Sequence, residues 1–339
     1  NGTKNFPGKS MLNYLETIGV KFGTNVNAYT GFDETVYNLS NVPVTRESIV
    51  DSCLLILHDW SCAIALEDKE IDEERGVIRE EWRTRTDANM RMWDILVPTM
   101  FAGSQYANRM PIGTMDVVMN FPYQTLRDYY HKWYRPDQQG IIVVGDIDAE
   151  KVEAKIKELF GKIKMPENAA ERIYYTVPDN KEPIITVGKD KEATSTSIMV
   201  FYKHDPMPKE LKSTVAGIAE SYLKGISSMM LSSRLSEMAE KPNAPFLGAY
   251  AYDDNFFVSK TKEAFTAVAS SKEGGSREAL EALLREIERV NKFGFTLSEY
   301  ERAKADLLSY IERLYKEKDK EKNGSYVKEY VSHFTDGGA

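Results

Sequence analysis

The sequence is poor in the residues that usually hold a metal ion or form a disulfide, since its 339 residues include two cysteines and four histidines. Cys53 and Cys62 lie in a segment of helical periodicity, which would separate them by roughly 13 Å on nearly opposite faces. We expect no bridge between them, and no C-x-x-C pair offers zinc two thiolates. No histidine has a second histidine within four residues, and the G-x-S-x-G, P-loop and G-x-G-x-x-G motifs are absent. The residues alone supply no complete metal, nucleophile or phosphate site.

Excess positive charge and long apolar runs are lacking as well. The formal net charge is -8, which leaves no basic footprint for nucleic acid. The longest apolar candidate, CLLILHDWSCAIAL, is interrupted by His58, Asp59 and Trp60 and falls short of the roughly 18 residues that suggest a membrane span. We expect no nucleic-acid partner and no membrane span in this chain. The opening NGTKNFPGKS has neither an initiator methionine nor a signal-like stretch, which suggests a processed or excised piece.

The remaining pattern is that of an α+β protein with two domains. Of the residues, 42% are hydrophobic and 28% are charged, which is typical of a globular protein. The polar, proline-containing stretch 165–183 separates two strand-containing regions, so we predict a catalytic-type domain over 1–177 and a second, incomplete domain over 178–339. Both regions contain a strand, a short loop, a capped amphipathic helix and a terminal Phe-Gly. We therefore predict two related two-layer domains, each a mainly antiparallel sheet packed against helices.

Local signals predict several individual elements. The segment VNAYTGFDETVY reads as two strands joined by a turn at GFDE. Thr45 is a plausible N-cap of the helix that follows, and Asp148 can cap a helix over 149–160. Continuous or alternating apolar runs predict strands over Gly140–Asp148, 183–188 and 197–205.

The stretch ERGVIREEW, residues 74–82, raises the question of function. At 3.6 residues per turn, Glu74, Val77, Ile78 and Glu81 share one helical face, so two carboxylates lie on an apolar stripe. Burial of such carboxylates needs a cation or hydrogen-bond donors. An ordinary solvated helix, in which the neighbouring arginines pair with both glutamates, is the alternative interpretation from these residues alone.

A family resemblance bears on that choice. The blocks NGTKNFP, VNAYTGFDETVY, ERGVIREEW, NRMPIGT and WYRPDQQGIIVVGDID, in this order, resemble the pitrilysin/insulinase family of zinc metallopeptidases, the inverzincins. This resemblance covers roughly residues 1–165. The part after Pro178, which includes SSRLSEMAE, is similar to the second domain of one half of such a protein. The chain would then be a fragment that begins just after the H-x-x-E-H motif.

The resemblance implies a metal site. In the family, an H-x-x-E-H helix supplies two zinc ligands and the glutamate that activates water, and a more distant glutamate is the third protein ligand. Glu81 matches that distant ligand, and Glu74 matches the acidic residue that supports the site. This chain lacks H-x-x-E-H, so no catalytic residue is expected in it, and it is not expected to retain Zn2+ or to be active alone.

The resemblance also implies a substrate site. VNAYTG matches the family's edge strand, to which an extended peptide adds as a further strand, with Asn27, Ala28, Tyr29 and Thr30 as binding residues. An ordinary hairpin strand is the alternative.

The function implied for the parent protein is that of a zinc metalloendopeptidase that hydrolyses peptides or unfolded polypeptides in a chamber. Its partners would be the peptide substrate, the missing N-terminal segment and the second half of the same protein. A non-catalytic homologue that acts as a binding or partner subunit is the alternative. The compartment stays open, with the periplasm or cell envelope favoured over the cytoplasm.

Overall fold

The computed structural model describes residues 2–337, and the chain falls into two compact units. The first unit comprises the residues up to Thr86, Arg109–Ile173 and Asn323–Val331. The second comprises Asp87–Asn108, Tyr174–Lys322 and the residues from Ser332. The predicted α+β class is confirmed, because both units combine helices with antiparallel strands. The division of the chain into domains 1–177 and 178–339 stays a prediction.

Helices and strands follow in a mixed order along the chain. The helices are α1 Ser10–Thr17, α2 Glu47–Cys62, α3 Asp68–Arg85, α4 Ala88–Met100, α5 Met115–Asn120, α6 Tyr123–Trp133, α7 Ala149–Phe160, α8 Lys209–Lys212, α9 Val215–Ala239, α10 Ser276–Phe293, α11 Leu297–Glu317 and α12 Asn323–Asp336. The strands are β1 Val26–Thr30, β2 Thr35–Leu39, β3 Thr196–His204, β4 Gly248–Asn255 and β5 Glu263–Ser271. Short 3-10 turns occur at Gln105–Asn108, Pro136–Gln138 and Lys318–Lys320. Among the described helices, none has the length and apolar character that crossing a bilayer requires.

The first unit is built around the predicted hairpin. β1 and β2 pair antiparallel, with Val26 opposite Leu39 and Thr30 opposite Thr35. Their apolar residues pack with α1 and α2 in a core that consists of buried Met11, Leu15, Val20, Val26, Ile49, Cys53, Ile56 and Trp60. This core leaves the outer part of β1 exposed.

The second unit contains a three-stranded antiparallel sheet in the order β3, β5, β4. Alanines dominate its buried face, with Ala249 opposite Ala269 and Ala251 opposite Ala267. Small side chains let helices approach the sheet closely, and the core is completed by Leu231 and Leu235 of α9 together with α10 residues. The result is the two-layer arrangement predicted for this region.

Three local predictions are wrong. Gly140–Asp148 and residues 183–188 form no regular strand, because an apolar run becomes a strand only where a partner pairs with its backbone. The described residues provide no such partner for either segment. The N-cap of α2 is Arg46 rather than Thr45. By contrast, Asp148 caps α7 as predicted, since its side chain accepts a hydrogen bond from the Lys151 amide at 3.2 Å.

Candidate functional site

The helix α3 carries the two glutamates selected from the sequence. Asp68 and Glu70 lie in its first turn and Arg83 and Arg85 in its last turn, which complements the helix dipole at both ends. Its buried side chains are Ile71 and Arg75, so one face of α3 packs within the first unit. The rest of the helix is available for other roles.

Glu74 and Glu81 stand on a face that stays open within the described residues. Glu74 is exposed and has no hydrogen-bond or ion-pair partner there, and Val77 beside it is 57% exposed. Glu81 is half-buried and pairs with Arg85, with 3.0 Å between Glu81 Oε1 and Arg85 Nη2. Within the described residues neither carboxylate is fully buried, and Ile78 on the same face is half-buried.

The neighbouring Glu80 has a different environment. Its carboxylate accepts a hydrogen bond from Arg83 Nε at 2.8 Å, and both side chains are more than half exposed. Such an exposed ion pair contributes at most about 1 kcal/mol to stability. The structure thus separates Glu80 from the face shared by Glu74 and Glu81, as the helical register requires.

The donor chemistry of Glu81 fits zinc, because a carboxylate oxygen is an accepted zinc ligand. A four-coordinate site needs further donors, and among residues 2–337 no group of three metal-ligating side chains includes any residue of α3. Glu81 could hold such an ion, with Glu74 nearby on the same face, only together with ligands from elsewhere. The described residues of α3 thus supply one candidate ligand, Glu81, of the four that a tetrahedral zinc site needs.

A second group of ligand-type side chains lies in the second unit and was not predicted from the sequence. His204, Asp253 and Glu263 place one ligand atom each within 4.8 Å of one another. They come from three separate strands, and only the strand register, with His204 opposite Glu263, brings them together. Local spacing could not have revealed this cluster.

This cluster already contains a cation. Lys224 Nζ lies 2.6 Å from Glu263 Oε2 and 3.5 Å from Asp253 Oδ1. Although burial lowers the pKa of Lys224, its carboxylate partners outweigh that effect and raise it above its usual value, so the ammonium stays charged and offsets part of the negative charge of the carboxylates. A divalent ion would have to displace this ammonium. Without such an ion, the cluster is an ion network that ties α9 to the sheet.

The predicted peptide-binding residues lie together on one strand edge. Asn27, Ala28, Tyr29 and Thr30 form the exposed part of β1. Hydrogen bonds flank the paired region, from Gly31 N to Glu34 O at 2.8 Å and from Ser40 N to Asn25 O at 2.8 Å. Since bonded pairs alternate in an antiparallel ladder, the odd-numbered residues face β2.

The even-numbered residues therefore direct their backbone groups away from β2. The Ala28 amide supports this assignment, because it donates to Asn27 Oδ1 at 2.9 Å instead of to β2. The Ala28 carbonyl and the Thr30 amide and carbonyl are directed to the same side. This edge has the backbone pattern that an added strand would pair with.

The fold and the sequence blocks together define a class of protein. The pattern described as "Insulinase (Peptidase family M16)" matches residues 1–111, and the one described as "Peptidase M16 inactive domain" matches residues 120–307. The chain belongs to peptidase family M16, and the resemblance to the insulinase family is confirmed.

Its relatives include named zinc proteases. The chain is 30% identical over 311 residues to the probable zinc protease PqqL of Escherichia coli. The aligned region covers 92% of this chain and 33% of that protein. It is 28% identical over 333 residues to the zinc protease PQQL-like of Arabidopsis thaliana. Here the aligned region covers 98% of this chain and 31% of that protein. The chain thus spans about a third of the length of these relatives.

Solved structures agree with this assignment. The first half of the periplasmic protease PqqL from E. coli matches with a TM-score of 0.84 and 26% identity, and the match covers 100% of this chain and 71% of that one. The whole PqqL structure matches with the same TM-score and is covered to 37%. Both neighbours are longer than the chain.

Proposed function

We propose that the chain forms part of a zinc metalloendopeptidase and supplies two pieces of its site. Glu81 would be a metal ligand, and Glu74 would support it from the same face. The open edge of β1 would bind the peptide. The observation that carries the proposal is the open α3 face with its two carboxylates, in a family whose relatives are named zinc proteases.

Zinc, when bound, would polarise a substrate carbonyl and lower the pKa of a bound water to about 7. The chain's own contribution would be the carboxylate oxygen of Glu81, which must be released from Arg85 to face the ion. Glu74, about two turns earlier on the helix, would accept hydrogen bonds that orient the other ligands. The general base is expected from an H-x-x-E-H glutamate, which the chain does not contain.

Peptide binding would use the backbone of β1. An extended peptide would pair with Ala28 and Thr30, and the Asn27 side chain would give up its bond to the Ala28 amide. Main-chain pairing accepts many sequences, which suits peptides or unfolded segments held in a chamber. Exposed side chains of Asn27 and Tyr29 would then contribute to selection.

The partners of the chain would be further parts of the same protein. An N-terminal segment with H-x-x-E-H and a second half would complete the site, in line with the greater length of PqqL and its relatives. The chain alone, with one matched ligand, would neither retain zinc nor cleave peptides, because tight sites of about 10 kcal/mol or more need several ligands. By analogy with PqqL of E. coli, we propose the periplasm as its compartment.

The test compares the chain with the full-length protein that contains it. After dialysis, the full-length protein should hold one zinc and cleave a quenched peptide until a chelator is added, whereas the chain should do neither. A full-length protein without zinc or cleavage would support the non-catalytic binding subunit instead. Stoichiometric zinc or chelator-sensitive cleavage by the chain alone would contradict the assignment of a single ligand.

A further inference from the structure

Arg75 is a charged side chain buried in the helix that carries the proposed zinc ligand. It is 8% exposed, which is unusual for arginine unless its donors are satisfied. It follows Glu74 directly in the sequence but faces the interior of the first unit. The inference drawn from it rests on the proposed function of Glu81.

The Arg75 guanidinium joins α3 to the segment at the end of α5. Nη2 donates to the Phe121 carbonyl at 2.7 Å, and Nη1 donates to the Val118 carbonyl. Carbonyls at the end of a helix lack partners within it, so Arg75 satisfies one acceptor in the last turn of α5 and a second just beyond its end. The guanidinium also lies over the Phe121 ring, 4.0 Å from its centroid.

A third bond fixes the guanidinium from its own helix. Nε of Arg75 donates to Asp72 Oδ1 at 3.1 Å, and the hydroxyl of Tyr123 donates to Asp72 Oδ2 at 2.6 Å. These bonds hold the Arg75 guanidinium in one orientation between α3 and the start of α6. Lysine could not reproduce this arrangement, because its ammonium is a single point donor group on a flexible stem.

The geometry points to Arg75 as a positioning residue that sets the rotation of α3 and hence the direction of Glu81. Arg75 stands about 100° around the helix from Glu74 and about 120° from Glu81. Contacts that hold Arg75 against two carbonyls therefore determine where both carboxylates point. Arg75 itself would touch neither zinc nor substrate.

Zinc binding by Glu81 tolerates little rotation of α3, so a residue that fixes this rotation matters. Side-chain tips lie about 5–6 Å from a helix axis, so a rotation of about 10° moves them by about 1 Å. Metal–ligand distances tolerate about 0.2 Å. A rotation of only a few degrees would take Glu81 out of bonding distance unless its side chain readjusted.

A purely structural role for Arg75 makes a different prediction. It would lower the unfolding temperature on substitution but leave the zinc affinity of the folded protein unchanged. The test therefore measures both quantities on the full-length, metal-stripped protein: zinc Kd by competition with a chromophoric chelator at 25 °C, and thermal unfolding by circular dichroism.

The variants are Arg75→Met, which keeps an unbranched stem, Arg75→Lys, which keeps the charge, and Arg83→Met as the matched control. Arg83 is on the same helix, and its side chain is 68% exposed. We expect zinc Kd to rise about 10- to 100-fold for Arg75→Met, as for other supporting partners of metal ligands. Arg75→Lys should be intermediate, and Arg83→Met should match wild type.

A folded Arg75→Met protein with the wild-type zinc Kd would overturn the proposal, whatever its unfolding temperature. If Arg75→Met does not fold, Arg75→Lys decides, because an unchanged zinc Kd in that variant also overturns it. Glu81→Gln is measured alongside. If Glu81→Gln binds zinc like wild type, the ligand assignment fails and the positioning role with it. If Glu81→Gln loses zinc while both Arg75 variants keep it, only the positioning role fails.

Discussion

Ala28→Pro tests the β1 edge with little disturbance of the hairpin. The Ala28 amide points away from β2 and donates to Asn27 Oδ1, so its loss removes no hydrogen bond between the two strands. Proline is tolerated on such an edge. The substitution removes one donor to a bound peptide, worth about 1 kcal/mol or about fivefold in affinity. The ring bulk also weakens a neighbouring bond, which brings the expected loss to about 2 kcal/mol, or about thirtyfold.

The assay is the anisotropy of a fluorescent peptide titrated with the full-length protein in the presence of a chelator, so that binding is measured without cleavage. Ala28→Ser is the matched control, because it keeps the amide, and its Kd should stay within about twofold of wild type. Circular dichroism confirms that both variants fold. An unchanged peptide Kd for folded Ala28→Pro would refute strand addition at this edge.

Three further predictions concern the stability of the chain, measured by urea unfolding. The Arg234 guanidinium holds the pKa of Glu299 down from 4.5 to about 2, so Glu299→Gln should cost at most about 3 kcal/mol at pH 7. Because the folded pKa is depressed, the difference in unfolding free energy between wild type and variant should shrink as pH falls from 4.5 towards 2. A difference that stays constant over this range would contradict the ion pair. Phe101→Ala should cost about 3–5 kcal/mol, since Phe101 is fully buried against aromatic rings, and a loss below about 1 kcal/mol would show that the ring is not packed. Asp59→Ala should cost about 3 kcal/mol or more, because the fully buried carboxylate accepts hydrogen bonds from Thr3 Oγ1 and from the Asn5 amide and side chain. Asp59→Asn should recover part of this loss. Equal stabilities of Asp59→Ala and Asp59→Asn would argue against those bonds.

Elements with local determinants were predictable from the sequence. The hairpin follows from β-branched residues on both sides of a turn, and α7 follows from an N-cap and apolar periodicity. In each case the signal lies within a few residues of the structure it produces.

Features that depend on distant partners could not be predicted in this way. Gly140–Asp148 has the composition of a strand but no pairing partner among the described residues. The burial of Arg75 depends on carbonyls of Val118 and Phe121, which the ERGVIREEW stretch does not reveal. The cluster around His204 requires the register of three strands. The proposed role of Glu81 rests on the family resemblance, because helical spacing alone left an ordinary solvated helix open.

We propose that Glu81, and not its neighbour Glu80, binds zinc in the full-length protein. The direct measurement is the zinc content of Glu81→Gln and Glu80→Gln after dialysis, determined by atomic emission against wild type. Both substitutions preserve size and remove one charge, and Glu80 pairs only with exposed Arg83 among the described residues. We expect Glu81→Gln to lose its zinc while Glu80→Gln keeps one equivalent. Loss of zinc from Glu80→Gln with retention in Glu81→Gln would contradict it.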